Sequence, residues 1–124
     1  MTMNNPFKSI PKSRILSESE AFLIIKDIFP VSPGHMLIIS KREASDFFAL
    51  TDSERNQLNK SILITKALIE LEYKPDGYNI GMNCGKAAGQ SVFHFHCHVI
   101  PRYFGDMENP RGGVRHCVEG KGNY

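Results

Sequence analysis

Residues 93–100 read FHFHCHVI, with histidine at every second position and an apolar side chain at each position between. Successive side chains on an extended strand point to opposite faces. Such a run suits a strand that is buried on one side and polar on the other. The spacing predicts a strand over 91–100. Phe93, Phe95, Cys97 and Val99 belong to its buried side, and Val92, His94, His96, His98 and Ile100 to the other. Residues 78–83 divide the same way, with Tyr78, Ile80 and Met82 against Asn79, Gly81 and Asn83. Paired across the intervening CGKAAGQ loop, the two segments would set all three histidines beside Asn83 on a small, polar face.

The rest of the chain supplies the sheet on which such a strand needs to lie. A short edge strand is expected over 13–16, a buried strand over 21–28, a turn over 30–34 and another strand over 35–40. Ser40-Lys41-Arg42-Glu43 has the S-x-x-E form of a capping box, which predicts a short helix through Phe48. Thr51-Asp52-Ser53-Glu54 repeats the signature and opens a longer helix to about Leu71, where Lys74-Pro75-Asp76-Gly77 stops it. Leu58, Ile62, Thr65 and Ile69 keep the spacing of one buried helix face. Three strands, two helices and two strands predict an α+β fold, an antiparallel sheet with its helices on one face. Beyond Pro101 the chain is rich in glycine and reads as irregular, ordered against a partner or a ligand if at all.

With 124 residues the chain has room for one domain. A net charge of +2 with no run of like charges argues against nucleic acid or a membrane surface and favours a small anion as partner. The N-terminal stretch MTMNNPFKSIPKSR lacks the apolar core of a secretory signal. No apolar run approaches the roughly 20 residues of a membrane span. Cys84, Cys97 and Cys117 are odd in number and irregularly spaced, which fits a reducing, cytoplasmic setting better than a disulfide framework.

Three readings of the histidine row compete. Histidines two apart on one face are roughly 6.5–7 Å apart at the backbone, whereas zinc needs its nitrogens about 2.0–2.1 Å from the ion. Two neighbours could lean together, but a third ligand would have to come from His35, Cys84 or elsewhere. A plain polar strand face is the second reading. The third is chemistry on an anion. Gly85, Ala87, Ala88 and Gly89 let the loop backbone approach phosphate oxygens, and Ser91 and Asn83 add a hydroxyl and an amide. Lys86 reads as a solvated loop charge. Imidazole can be an uncharged nucleophile at neutral pH while a neighbour donates a proton. Only His96 has a histidine on both sides.

His94-Phe95-His96-Cys97-His98-Val99-Ile100 resembles the H-φ-H-φ-H-φ-φ signature of the histidine triad (HIT) superfamily of nucleotide hydrolases and transferases. The likeness extends through NCGKAAGQSV, residues 83–92, and DIFPVSPGH, residues 27–35. It covers about residues 7–107 as a HIT domain, leaving 108–124 as an irregular or interface tail.

The resemblance implies a five-stranded antiparallel sheet with two helices, and a homodimer whose sheets join. It implies attack by His96 on the α-phosphate of a nucleotide and hydrolysis of the resulting nucleotidyl-histidine. His98 and His94 would orient His96 and bind phosphate, with His35 behind them. Asn83, Gly89, Gln90 and Ser91 would hold the phosphates, Ser91 near the leaving group. Asp27 resembles the ribose ligand. Phe7, Ile10, Ile25 and Ile28 resemble the apolar clamp on the base, though Ile25 and Ile28 serve equally as core packing.

Ile100-Pro101-Arg102 resembles the dinucleoside polyphosphate branch more than the phosphoramidase branch, and Arg111 and Arg115 of the tail are candidates for extra phosphates. The expected ligand is therefore a purine nucleotide or a dinucleoside polyphosphate such as diadenosine tetraphosphate. The alternatives are a purine nucleoside phosphoramidase and a nucleotide-binding module without turnover. No cofactor is required by this chemistry. Some bacterial members complete a zinc site with an N-terminal C-x-x-C. Here that stretch is Pro6-Phe7-Lys8-Ser9, which makes zinc the lesser reading.

Overall fold

Thr51 and Glu54 start the one α-helix among the described residues, as seen in a computed structural model that describes residues 5–124. The first four residues of the N-terminal stretch read above lie outside the described residues. Glu54 N–H donates to Thr51 Oγ1 at 3.1 Å and Thr51 N–H to Glu54 Oε1 at 2.7 Å. This reciprocal pair satisfies two of the first turn's orphan donors. The helix, α1, spans Asp52–Glu70 and buries Leu58, Ser61, Thr65 and Ile69. Thr65 is accommodated in the interior because its hydroxyl donates to Ser61 O at 2.7 Å.

The strands are β1 (Ile15–Glu18), β2 (Phe22–Lys26), β3 (Met36–Ser40), β4 (Gly77–Gly81) and β5 (His96–Arg102), in the sheet order β1-β2-β3-β5-β4. Every neighbouring pair is antiparallel. Phe22, Ile24, Met36, Ile38, Cys97 and Val99 face α1 and pack with Leu58, Ile69 and Phe95. On the opposite face Ile25, Leu37 and Ile39 form a second cluster, capped by Phe7 and Ile10 of the N-terminal segment and by Ile15 of β1. All of β3 is buried because α1 covers one face and this segment the other. Register places Ile39 opposite His96 and Leu37 opposite His98, so these two histidines extend the second cluster toward solvent.

Two expectations need correction. The segment after Ser40 is not a helix. Ser40 is the last residue of β3, and its hydroxyl donates to Arg42 O at 2.7 Å instead of capping a helix. Arg42 then spans to Glu54 and Ala49 O, and only Phe47–Ala49 makes a single 3-10 turn, capped by Asp46. An S-x-x-E signature specifies a cap only when its serine is free to leave the preceding strand.

The last strand is also shorter than alternation suggested. It begins at His96, so His94 lies outside it. Phe95 N–H donates to Ala44 O at 2.7 Å, and Ser40 N–H donates to Phe95 O at 3.3 Å. Those bonds carry residues 94 and 95 across the end of β3. From His96 onward exposure alternates strictly, with Cys97, Val99 and Pro101 buried.

Candidate active site

Main-chain groups, whose donor and acceptor roles are invariant, assign the protons of His35, His94 and His96, and His35 in turn assigns that of His98. A carbonyl only accepts, so His96 Nδ1, 2.8 Å from His94 O, carries a proton. The neutral His96 ring then holds its lone pair on Nε2, away from the main chain. His94 Nε2 must donate to Ser40 O at 2.7 Å, so His94 Nδ1 is an acceptor, and it takes the Asn5 Nδ2 amide at 2.9 Å. Val31 N–H donates to His35 Nδ1 at 3.1 Å, which puts the His35 proton on Nε2. That Nε2–H lies 3.0 Å from His98 Nδ1 and 3.5 Å from Asp27 Oδ2. His98 therefore accepts at Nδ1 and presents Nε2–H.

Burial keeps the inner pair uncharged. It pushes His98 down to about 4, helped by His96 and His35 beside it and opposed by Asp27. Burial also lowers His35, with Asp27 working against the shift. The site thus sets the outward Nε2 of His96 beside an N–H donor on His98, with ring centroids 5.3 Å apart. The Phe7 ring lies 4.9 Å from that of His96 and caps the Ile25 cluster.

Beside His98 opens a cavity of about 860 Å³. It is lined by His35, by Asn83, Ala87, Ala88 and Gly89 of the loop, by Asn79, Gly81 and Ile100 of the sheet, and by Val114, Cys117 and Val118 of the tail. The loop wall is a 3-10 turn, Lys86–Ala88, between Gly85 and Gly89, both at positive φ (92° and 90°), where side chains are disfavoured.

The HIT domain profile matches residues 8–105 of this chain. The chain belongs to the HIT family. It is 37% identical over 91 residues to an uncharacterised HIT-like protein of Mycoplasma genitalium, covering 71% of this chain and 62% of that one. It is 33% identical over 110 residues to a Mycobacterium tuberculosis protein named AP-4-A phosphorylase, covering 82% and 55%. The chain spans less than two thirds of the length of these relatives. A solved histidine triad nucleotide-binding protein of Sulfolobus tokodaii superposes with a TM-score of 0.70 at 34% identity, covering 74% of this chain and 62% of that one.

Several HIT residues expected from the sequence come together around His96 and His98, and others do not. His35, Asn83 and Gly89 share the cavity wall with His98. Asp27 meets His35, while its Oδ1 accepts from Phe29 N–H at 2.8 Å. Ile25 is fully buried beneath Phe7 and Ile10, whereas Ile28 is 64% exposed and outside that cluster. His94 is 2% exposed with both nitrogens occupied, which leaves none for a phosphate; it reaches His96 through its carbonyl. Gln90 is buried too. Its amide oxygen accepts from Gly85 N–H at 2.8 Å and its nitrogen donates to Ser45 O at 2.6 Å, so it braces the Gly85–Gly89 loop from within and has no group left for a ligand. Ser91 is exposed and is not among the residues lining the cavity. Arg111 and Arg115 both lie over the Tyr124 ring, at 4.5 and 4.6 Å.

Sequence reasoning missed Asn5, Val31 N–H and the apolar tail wall. Only the asparagine, beside an otherwise apolar Phe7, left any trace in the pattern.

Among the described residues, Asp27, His35 and His98 bring ligand-type atoms within 4.8 Å of one another. A metal there would need the His35 Nε2 lone pair, and hence a proton on Nδ1, directly facing the Val31 N–H. The donor set does not fit a metal in this arrangement, and no step below uses one. Among the described residues no helix is long and apolar enough to cross a membrane.

Proposed function

We propose that this chain hydrolyses dinucleoside polyphosphates, such as diadenosine tetraphosphate, at the α-phosphate through a nucleotidyl-His96 intermediate. The observation that carries the reading is the His96 Nδ1–H bond to His94 O. It makes Nε2 the attacking atom and lets the carbonyl take up the positive charge that grows on the ring as the N–P bond forms. The P–O bond to the remaining polyphosphate breaks with its electron pair on the departing oxygen. His98 Nε2–H supplies a hydrogen bond to a phosphate oxygen, and the loop ending at Gly89 supplies backbone N–H groups. Water then attacks phosphorus, the P–N bond breaks and its electron pair returns to Nε2. Phe7, Ile10 and the Ile25 cluster form the base platform, and Asp27 the ribose ligand. A relative named for action on AP-4-A supports this substrate class.

One observation favours a second reading. The cavity beside His98 has no lysine or arginine among its lining residues. A polyphosphate leaving group would gain no cationic partner there, whereas a neutral amine would need none. That arrangement suits a purine nucleoside phosphoramidase. We further propose a homodimer joined along the edge strand β4, and a cytoplasmic location.

Turnover of diadenosine tetraphosphate and of an AMP–lysine phosphoramidate on one preparation, with and without inorganic phosphate as acceptor, tests the proposal. His96→Ala is expected to abolish turnover of whichever substrate works while AMP still binds. A His96→Ala protein that keeps most of its activity would sink the covalent mechanism. Micromolar AMP binding by the native protein without turnover of either substrate would leave a binding module.

A further inference from the structure

We propose that Asn5 is a positioning residue for nucleotidyl transfer, joining the platform that meets the base to the carbonyl that holds the nucleophile. The inference rests on the reading of His96 as the attacking residue.

The orientation of the Asn5 amide is settled by its neighbours. Phe7 N–H, 2.9 Å away, can meet only an oxygen, so the side-chain oxygen faces Phe7 and the NH₂ faces His94. His94 is committed on its far side to Ser40 O, so its Nδ1 must accept, and the Asn5 NH₂ at 2.9 Å is its donor. The two partners of this bond lie 89 residues apart in the chain. The His94 ring is thereby fixed on two sides within the protein. Its carbonyl, which receives His96 Nδ1–H at 2.8 Å, is fixed with it.

The same asparagine sets a second neighbour of His96. By accepting the Phe7 N–H it closes a tight turn that sets the Phe7 ring 4.9 Å from His96 and 6.0 Å from His94. One side chain therefore grips the nucleophile twice, through its hydrogen-bond acceptor and through the aromatic ring against its face. A nucleobase settling on Phe7 and a phosphate meeting His96 Nε2 are then held in one frame. Misplacing reacting groups by about 1 Å can cost about a hundredfold in rate.

Asn5→Asp separates these two links. Aspartate still accepts the Phe7 N–H but cannot donate to His94 Nδ1, which must then gain a proton or lose its partner. We expect kcat to fall about 10–100-fold with KM nearly unchanged. Asn5→Ala removes both links, so kcat falls and KM rises together. Histidine nitrogen NMR on the full chain gives a readout that needs no turnover. The native protein should show His96 as one Nδ1–H tautomer and His94 as Nε2–H. Asn5→Asp should show His94 doubly protonated, and Asn5→Ala should show His96 averaging between tautomers. Asn5→Leu, near in size and likewise without a donor or an acceptor, substitutes for the alanine variant if that one does not fold.

A native His96 tautomer together with native kcat in Asn5→Asp would overturn the proposal. Absence of turnover in the native protein would instead count against the function assigned to the site, and the NMR comparison would still decide the role of Asn5.

Discussion

His96 donates its Nδ1 proton to the main-chain oxygen of His94, two residues earlier, over 2.8 Å. The bond joins two triad members, yet the imidazole of His94 has no direct part in it. The acceptor is a backbone atom that any residue at position 94 would bring. The ring's own partners, Asn5 and Ser40 O, only decide where that backbone lies.

His94→Ala is therefore expected to slow turnover by about 10–100-fold without abolishing it, and the nucleotidyl-His96 species should still form. Mass spectrometry of the quenched enzyme detects it. Complete loss of the intermediate would mean that the His94 ring touches the substrate, contrary to its burial.

His35 matters through His98. Replacing His35 with alanine leaves His98 Nδ1 without its donor, so that proton is free to move to either nitrogen. Turnover should drop by about tenfold or more while His96 still becomes modified, since His96 does not depend on His35 for its tautomer. The accumulation rate of the covalent species against the steady-state rate separates the two effects.

Acid should weaken the fold through His98. Its pKa is about 4 in the native protein against an ordinary 6.5. The unfolded chain therefore binds a proton there between pH 6.5 and 4 that the native protein refuses, and stability falls as pH falls through that window. Above pH 6.5 both states are neutral and this group makes no difference. Allowing for the partial exposure of the ring, the loss is about 2 kcal/mol across the window. Urea unfolding at pH 7 and pH 4.5 measures it. His98→Gln should flatten this part of the curve, and an unchanged slope would contradict the assignment.

Gln90 ties Gly85, at the start of the Gly85–Gly89 loop, to Ser45. Gln90→Ala strands Gly85 N–H and Ser45 O, at a cost of about 1–3 kcal/mol. Nucleotide affinity should weaken with it, because the Gly85–Gly89 backbone loses its brace. Calorimetry with AMP, alongside thermal unfolding, reads both. Weakened stability at undiminished affinity would show that the loop makes no contact with phosphate.

Gly34 sits at φ 91°, and a Cβ there would lie 2.9 Å from Tyr73 Cδ2. Gly34→Ala should cost about 1–3 kcal/mol and displace the turn that brings Val31 N–H to His35. A lower midpoint in thermal unfolding, with lower turnover measured well below it, is the expected pair of results.

The local pattern alone determined a good deal of this protein. Capping box and apolar spacing located α1 to within a residue at each end, because both signals lie within the helix itself. Alternation set His96 and His98 on one face and Cys97 and Val99 on the other, because a strand's two-residue period is independent of its neighbours. The same rule failed at His94, where bonds from Ala44 and Ser40 pull the chain out of the strand, and at Ser40, which the sheet keeps from capping a helix. Tertiary structure decided the proton positions of His94 and His98. His35 against His98 and Asn5 against His94 are contacts between segments that local periodicity does not relate. Spacing predicts which side a histidine faces. Which of its nitrogens is left bare depends on the donors and acceptors that folding brings to it.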